Sequence, residues 1–273
     1  MFTAAQGREL LRRARYLRGP QRLGGPPSVA ANLCIGLERA HIPFNVDPAA
    51  KGRSRNIGVL SHVDTLRYAT KLKRQGDLHT LVAGPNIVVA PNRHEGILCS
   101  LEIDRVIVAS PWVREMFLSY APQLRDRLVV WPVGVDENVW QPANTPSVSD
   151  VLIYAKSGPA ELLTACQSLL SRRGLRYTLL TYGEHTAAEY RSSLQRHRWM
   201  LYLSESETQG IALLEAWACN VPTLVWDRGR CIFEDIDWRG ASSAPYLTSE
   251  NGRSFATIPD LSRAVDDMET TSF

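Results

Sequence analysis

The sequence has no apolar run long enough to span a bilayer and no amino-terminal leader pattern. It therefore reads as a protein of the aqueous phase or of a membrane surface. It has little excess charge: 31 basic residues stand against 28 acidic ones, a net +3, so nucleic acid is not demanded as a partner. Cysteine is sparse and unpaired by pattern. Cys34, Cys99, Cys166, Cys219 and Cys231 are odd in number and scattered, without zinc-ligand or redox spacing, which favours a reducing compartment and a cytoplasmic location. Internal repeats and low-complexity tracts are absent. No Gly-x-Gly-x-x-Gly opens a helix, which counts against a Rossmann dehydrogenase. What is present is ordinary for a globular chain: 273 residues, 44% of them hydrophobic, which suggests about two domains.

The most informative stretch is residues 204–216. An apolar run, Trp199-Met200-Leu201-Tyr202-Leu203, precedes it and reads as a buried strand. Ile211 through Ala218 are strong helix formers, and Val221 to Trp226 read as the next strand. Strand, turn, helix and strand make a βαβ unit, whose strand-to-helix turn is the usual ligand end of a parallel sheet. Gly210 allows backbone amides to approach a ligand closely, and the opening of the helix attracts phosphate. Glu207 lies in the turn and Glu215 in the helix, with seven residues between them. Two carboxylates so placed can accept hydrogen bonds from two polyols that flank one phosphate group. A nucleotide sugar has that make-up. The plain alternative is an ordinary helix of an α/β layer with two solvated glutamates.

Glu207-Thr208-Gln209-Gly210-Ile211, followed by Glu215-Ala216-Trp217-Ala218-Cys219-Asn220-Val221-Pro222, resembles the paired-glutamate donor motif of retaining GT-B glycosyltransferases of the group 1, family 4-like class. The chain has Gln209 where that family often has Phe, and Asn220 where it often has Gly. The resemblance implies that Glu207 faces the transferred sugar and Glu215 binds the ribose. It also implies that the backbone of Gln209, Gly210, Ile211 and Ala212 holds the sugar and diphosphate.

Toward the amino terminus, Arg8, Arg12, Arg13, Arg15, Arg18 and Arg22 lie among a few apolar residues. This segment is a candidate for peripheral contact with an anionic membrane, but a solvated helix packed on the domain is the favoured reading. Ser28 is the expected N-cap of a helix over 29–37. Gly24 and Gly25, just before it, resemble the family's glycine-rich loop near the donor phosphates; a plain connector is the alternative. Strand-like runs follow at 42–46, 57–61, 81–83, 87–90, 106–109 and 128–131, with helices expected over 64–75 and 111–120. That alternation implies a parallel sheet with functional side chains just past the strand ends. His62 follows one such strand. Gly84-Pro85-Asn86 follows another, with Asn92, Arg93, His94 and Glu95 beyond it. His62 is the candidate to orient or deprotonate an acceptor hydroxyl, since imidazole titrates near neutrality; a loop hydrogen-bonder is the alternative. Residues 104–113 and 130–142 resemble the family's last amino-domain strand with its Ser-x-Trp-Val helix, and its interdomain Gly-Val-Asp…Pro segment.

Residues 142–149 are small, polar and proline-containing and are read as a linker, which divides the chain into domains at 1–143 and 150–273. A second sheet is expected to start at Val151. Lys156, past that strand, resembles the family's lysine that neutralises the diphosphate, without a visible arginine partner. Tyr182, past the strand starting at Tyr177, is a candidate to stack on the nucleotide base. A helix is expected over 187–197, a closing strand and turn over 245–255, and a last helix over 257–269. Asp235-x-Asp237 has the form of a metal-binding pair in another transferase class but lacks a preceding apolar strand, so it is read as chance.

The expected architecture is α/β, with two Rossmann-like domains facing across a cleft in a compact GT-B fold. The expected activity is transfer of a sugar from a nucleoside diphosphate sugar to a sugar or lipid-linked hydroxyl acceptor. The resemblance implies retention at the anomeric carbon, no covalent nucleophile, no metal and no cofactor. Two rivals stay open: a nucleotide-sugar epimerase of the same fold, and a non-catalytic nucleotide-sugar-binding subunit of a transferase complex.

Overall fold

A computed structural model of the chain describes residues 25–46, 55–143 and 149–273. These divide into two compact units, one ending at Gly134 and the other running from Val135 to Phe273. Val135, Val139 and Trp140, expected in the first domain, pack into the core of the second.

In the amino-terminal unit, helix α1 (Gly25–Arg39) precedes a four-stranded parallel sheet of β1 (Asn56–Ser61), β2 (Thr80–Asn86), β3 (Arg105–Val108) and β4 (Leu128–Val130), in that spatial order. Helix α2 (Val63–Arg74) connects β1 to β2, and α3 (Pro111–Tyr120) connects β3 to β4. Several details differ from expectation. Helix α1 begins at Gly25, so Ser28 lies within it rather than capping it. Pro26 and Pro27 fit the first turn because that turn needs no N–H donors. Residues 42–46 are not a strand: Pro43 removes a ladder donor, and Ile42 is left 51% exposed. Residues 87–90 are not a strand either, and Gly84-Pro85-Asn86 lie inside β2 instead of following it. The reason is a close approach, since a Cβ at Gly84 would sit 2.2 Å from the Ile107 carbonyl oxygen on β3.

In the second unit the sheet has five parallel strands: β5 (Ser149–Ala155), β6 (Tyr177–Thr181), β7 (His197–Leu203), β8 (Thr223–Trp226) and β11 (Gly252–Phe255). Their spatial order is β11-β8-β7-β5-β6. An exposed antiparallel hairpin of β9 (Arg230–Phe233) and β10 (Ile236–Arg239), not expected from sequence, stands apart from that sheet. The helices are α4 (Ala160–Arg172), α5 (Ala187–Leu194), α6 (Ile211–Ala218) and α7 (Ile258–Thr270).

Both faces of this sheet are buried, which explains its unbroken apolar runs. Val151, Ile153, Trp199, Leu201 and Leu203 pack with α4 and α7. The alternate residues Leu152, Tyr154, Met200 and Tyr202 pack with α5 and α6 on the other side. Helix α5 stops three residues before its expected end because His197 is already paired in β7. Its start is a capping box in which Thr186 and Glu189 exchange side-chain and backbone hydrogen bonds. The closing strand is β11 alone; before it, residues 244–247 form a turn closed by the Leu247 amide on the Ala244 carbonyl. Among the described residues no helix is long and apolar enough to cross a membrane.

Candidate functional site

Strand β5 has β6 on one side and β7 on the other, so the strand order reverses between β5 and β7. In an open parallel sheet, ligands bind outside the carboxyl ends of the strands at such a reversal. Ala155 of β5 is in register with Leu203 of β7, which places Lys156 and Ser204 side by side just past the edge. The Lys156 amide donates to the Leu203 carbonyl at 2.8 Å, and the Glu205 amide donates to Ser157 Oγ at 3.0 Å. The two strand ends are thus tied together.

Glu207 is at this edge and is only 8% exposed. Its Oε1 accepts from the Tyr202 hydroxyl at 2.7 Å, from Ser204 Oγ at 2.8 Å and from Lys156 Nζ at 2.7 Å. The same ammonium reaches Oε2 at 2.9 Å. A buried carboxylate needs such partners, because an uncompensated charge away from water is costly. The Glu207 amide donates to the Ser242 carbonyl at 2.9 Å, and Ser243 Oγ donates to the Ser204 carbonyl at 2.7 Å. Both ends of the turn are thereby fixed. Tyr202 is buried, and burial followed by the adjacent Glu207 holds its phenol well above the usual range, so it keeps its proton as a donor.

Gly210 has φ 70° and ψ 50°, a left-handed conformation, and opens α6. The amides of Leu213 and Leu214 turn back onto the Gly210 carbonyl. The amides of Ile211 and Ala212 then stand at the helix start, where the backbone supplies no intrahelical acceptor. The Tyr190 hydroxyl donates to the Ala212 carbonyl at 2.7 Å and pins this first turn to α5. Gln209 is buried beside it. Past the end of α6, Asn220 has φ 57°. That explains why a resembling family would use glycine there, since asparagine is among the few other residues that tolerate the left-handed region.

Glu215 lies in the middle of α6. Part of its surface reaches solvent, yet desolvation raises its carboxyl from the ordinary 4.5 to about 8. Tyr154, Tyr190 and Cys219 feel its charge, and their own pKa values rise in part because of it. Neither acid of the motif turns outward into bulk solvent.

Tyr182 joins this group. Its ring lies 5.1 Å from the Lys156 ammonium, and the residue is 46% exposed. Lys156, Glu207 and Tyr182 are therefore brought together, with Gly210 and Glu215 on the same turn and helix. His62 belongs to the other unit, at the end of β1, where it opens α2 with φ 72° and ψ 113°. Gly25 is helical rather than part of a loop, and Gly24 lies outside the described residues, as does the basic segment before it. His94 and Glu95 occupy a short 3-10 segment with left-handed backbone, and Arg67 reaches Glu95 at 3.5 Å.

Tyr202, Ser204, Tyr190 and Ser242 carry no motif that marks them in the sequence: Tyr202 looks like core of an apolar strand, Ser204 like an ordinary turn residue, and Tyr190 and Ser242 have partners distant in the chain. Arg228 was also missed. It follows β8, pairs with Glu205 at 3.4 Å and lies over the Trp226 ring at 4.9 Å, adding a second cation at this edge. Asp237 of the Asp-x-Asp pair forms an ion pair with Arg230 across the β9–β10 hairpin. Contrary to expectation, a strand does precede that pair. Among the described residues no three His, Cys, Asp or Glu side chains are grouped to hold a metal.

No protein-family model and no curated sequence matches the chain. Solved structures do. Sucrose-phosphate synthase from Thermosynechococcus elongatus is similar over 92% of this chain and 72% of its own, at 15% identity and a TM-score of 0.54. TarM is similar over 88% of this chain and 51% of its own, at 11% identity and a TM-score of 0.52. The fold is that of the GT-B glycosyltransferases. At these identities the likeness is one of fold, and the chain spans about half the length of TarM.

Proposed function

We propose that this chain is a glycosyltransferase that moves a sugar from a nucleoside diphosphate sugar to a hydroxyl acceptor, with retention at the anomeric carbon and no need for a metal. The observation that carries the reading is the buried Glu207 carboxylate, bonded to Lys156 at the strand-order reversal, one short turn ahead of the helix that Gly210 opens. The diphosphate sits against the Ile211 and Ala212 amides, where the helix dipole favours negative charge. Glu207 faces the transferred sugar. Glu215 meets the ribose; with its carboxyl raised to about 8, it carries a proton at neutral pH and can both donate to and accept from a diol. Lys156 and the helix opening offset the charge that grows on the leaving nucleotide, and Tyr182 stacks on the base. The departing phosphate takes the acceptor proton on the same face, and His62 orients the acceptor hydroxyl.

A thermal-shift screen with UDP, GDP and ADP tests the donor site. One of them should raise the melting temperature in proportion to the logarithm of its concentration. Nucleoside diphosphate should then be released from the matching nucleotide sugar only when a hydroxyl acceptor is supplied. Conversion to an epimeric nucleotide sugar with no nucleoside diphosphate released would favour the epimerase, and binding without turnover would favour the non-catalytic subunit.

A further inference from the structure

Lys156 has two claims on it. Its ammonium is bonded to both oxygens of Glu207, while the proposed reaction asks it to meet a diphosphate. We infer that Tyr202, together with Ser204, is the fixed clamp of Glu207, a positioning residue that keeps the carboxylate in place and charged when Lys156 moves to the diphosphate. The inference rests on the donor-site reading above and adds to it the residues that orient its acid.

The two kinds of partner differ in rigidity. The Lys156 side chain is 30% exposed and ends in a point charge on a flexible stem, which can swing between acceptors. Its other neighbour, the Tyr182 ring, is itself largely open to solvent. Tyr202 is 1% exposed. Its ring stacks on Tyr154 at 5.4 Å between centroids and 15° between planes, and Tyr154 packs in turn on Tyr190 at 5.0 Å. Ser204 is also 1% exposed, and its carbonyl is held by Ser243. Neither hydroxyl can follow a ligand. Both donate to Oε1, so that oxygen keeps two fixed donors after the ammonium leaves. The desolvation of Tyr202 agrees with this role, since the phenol is a donor across the accessible pH range.

A diphosphate at the α6 opening concentrates more negative charge than one carboxylate and draws the ammonium away. Without the clamp, Glu207 would then be a buried charge with two fewer fixed donors on Oε1, and so easier to protonate or to rotate. With it, binding energy from the nucleotide is not spent on reorganising the acid that meets the sugar. Tyr202 therefore contributes to recognition of the sugar and not of the nucleotide.

The test separates those contributions. Dissociation constants are measured by calorimetry for UDP, GDP and ADP and for UDP-glucose, GDP-mannose and ADP-glucose, on the wild type, Tyr202→Phe, Ser204→Ala and Lys156→Ala. The expected result is that Tyr202→Phe binds the nucleoside diphosphate within about twofold of wild type but the nucleotide sugar about tenfold more weakly, the scale of one lost hydrogen bond to a charged group. Ser204→Ala should move in the same direction and keeps the question answerable if Tyr202→Phe does not fold. Lys156→Ala should instead weaken the nucleoside diphosphate itself. Equal losses for diphosphate and sugar conjugate in the two hydroxyl variants, or no loss in either, would overturn the clamp while leaving the donor site intact. A wild-type protein that binds none of the six would overturn the donor-site reading and the clamp with it.

Discussion

Two serines placed alike, just past a strand of a parallel sheet, are treated in opposite ways. Ser204 follows β7 in the carboxyl-terminal unit, and its hydroxyl donates to the buried carboxylate of Glu207. Ser110 follows β3 in the amino-terminal unit. It is fully buried, and its hydroxyl has no hydrogen-bond partner among the described residues. The contrast extends along both edges. In the carboxyl-terminal unit Lys156, Tyr202, Ser204 and Glu207 converge on one point. Along the edge of the other sheet stand His62, with a left-handed backbone, and Asn86, whose side-chain nitrogen is likewise buried and unpartnered among the described residues. One sheet edge is pre-assembled around a charge; the other is not.

The largest effect expected from this difference is on Lys156. Lys156→Ala leaves Glu207 buried without its counter-charge and should lower unfolding stability on the order of 3 kcal/mol in denaturant titration. Little or no loss would mean that the pair is an ordinary surface contact and that the two edges are alike.

The next effect concerns the second acid. Burial raises Glu215 from 4.5 to about 8, so between those values the folded protein holds a proton that the unfolded chain has released. Stability should therefore fall as pH rises through that window, with the loss complete above it. Glu215→Gln removes the titration. It should melt close to wild type at pH 5 and a few degrees above it at about pH 8.5. A constant gap at both pH values would contradict the desolvated carboxyl.

The serines give a smaller and more direct contrast. Ser204→Ala should cost about 1 kcal/mol, and Ser110→Ala should cost nothing or gain up to about 1 kcal/mol, because it deletes a buried hydroxyl without a protein partner. Equal losses would erase the distinction between the edges.

Much of the fold was legible because the strands and helices announce themselves locally. The apolar run of β7 and the Ala-rich α6 needed no tertiary information. What was missed depends on contacts distant in sequence. Gly84 reads as a turn residue, but its glycine serves the approach of Ile107 on another strand. Residues 87–90 are apolar enough for a strand yet have no ladder to join. Arg230–Phe233 is a strand with Ile232 and Phe233 half exposed, so no burial pattern marks it. The candidate site divides in the same way. Glu207, Gly210, Glu215 and Lys156 stand out by type and spacing. Tyr202 does not, because a tyrosine in an apolar strand looks like core packing until its hydroxyl is seen on Glu207. Asn220 was noted as a departure from the resembling family, and its left-handed backbone gives the reason the position favours glycine.

That position supplies the smallest prediction. Asn220→Gly should stabilise the carboxyl-terminal unit by about 0.5 kcal/mol, since glycine reaches this conformation without a Cβ penalty. It should leave ligand affinity unchanged, which sets the end of α6 apart from its beginning.

The most direct measurement is a crystal structure with whichever of UDP, GDP or ADP raises the melting temperature most. The account predicts its phosphates within hydrogen-bonding distance of the Ile211 and Ala212 amides, its ribose against Glu215, and Lys156 turned from Glu207 toward the diphosphate. A diphosphate bound elsewhere, with that helix opening unoccupied and Lys156 still on Glu207, would contradict it.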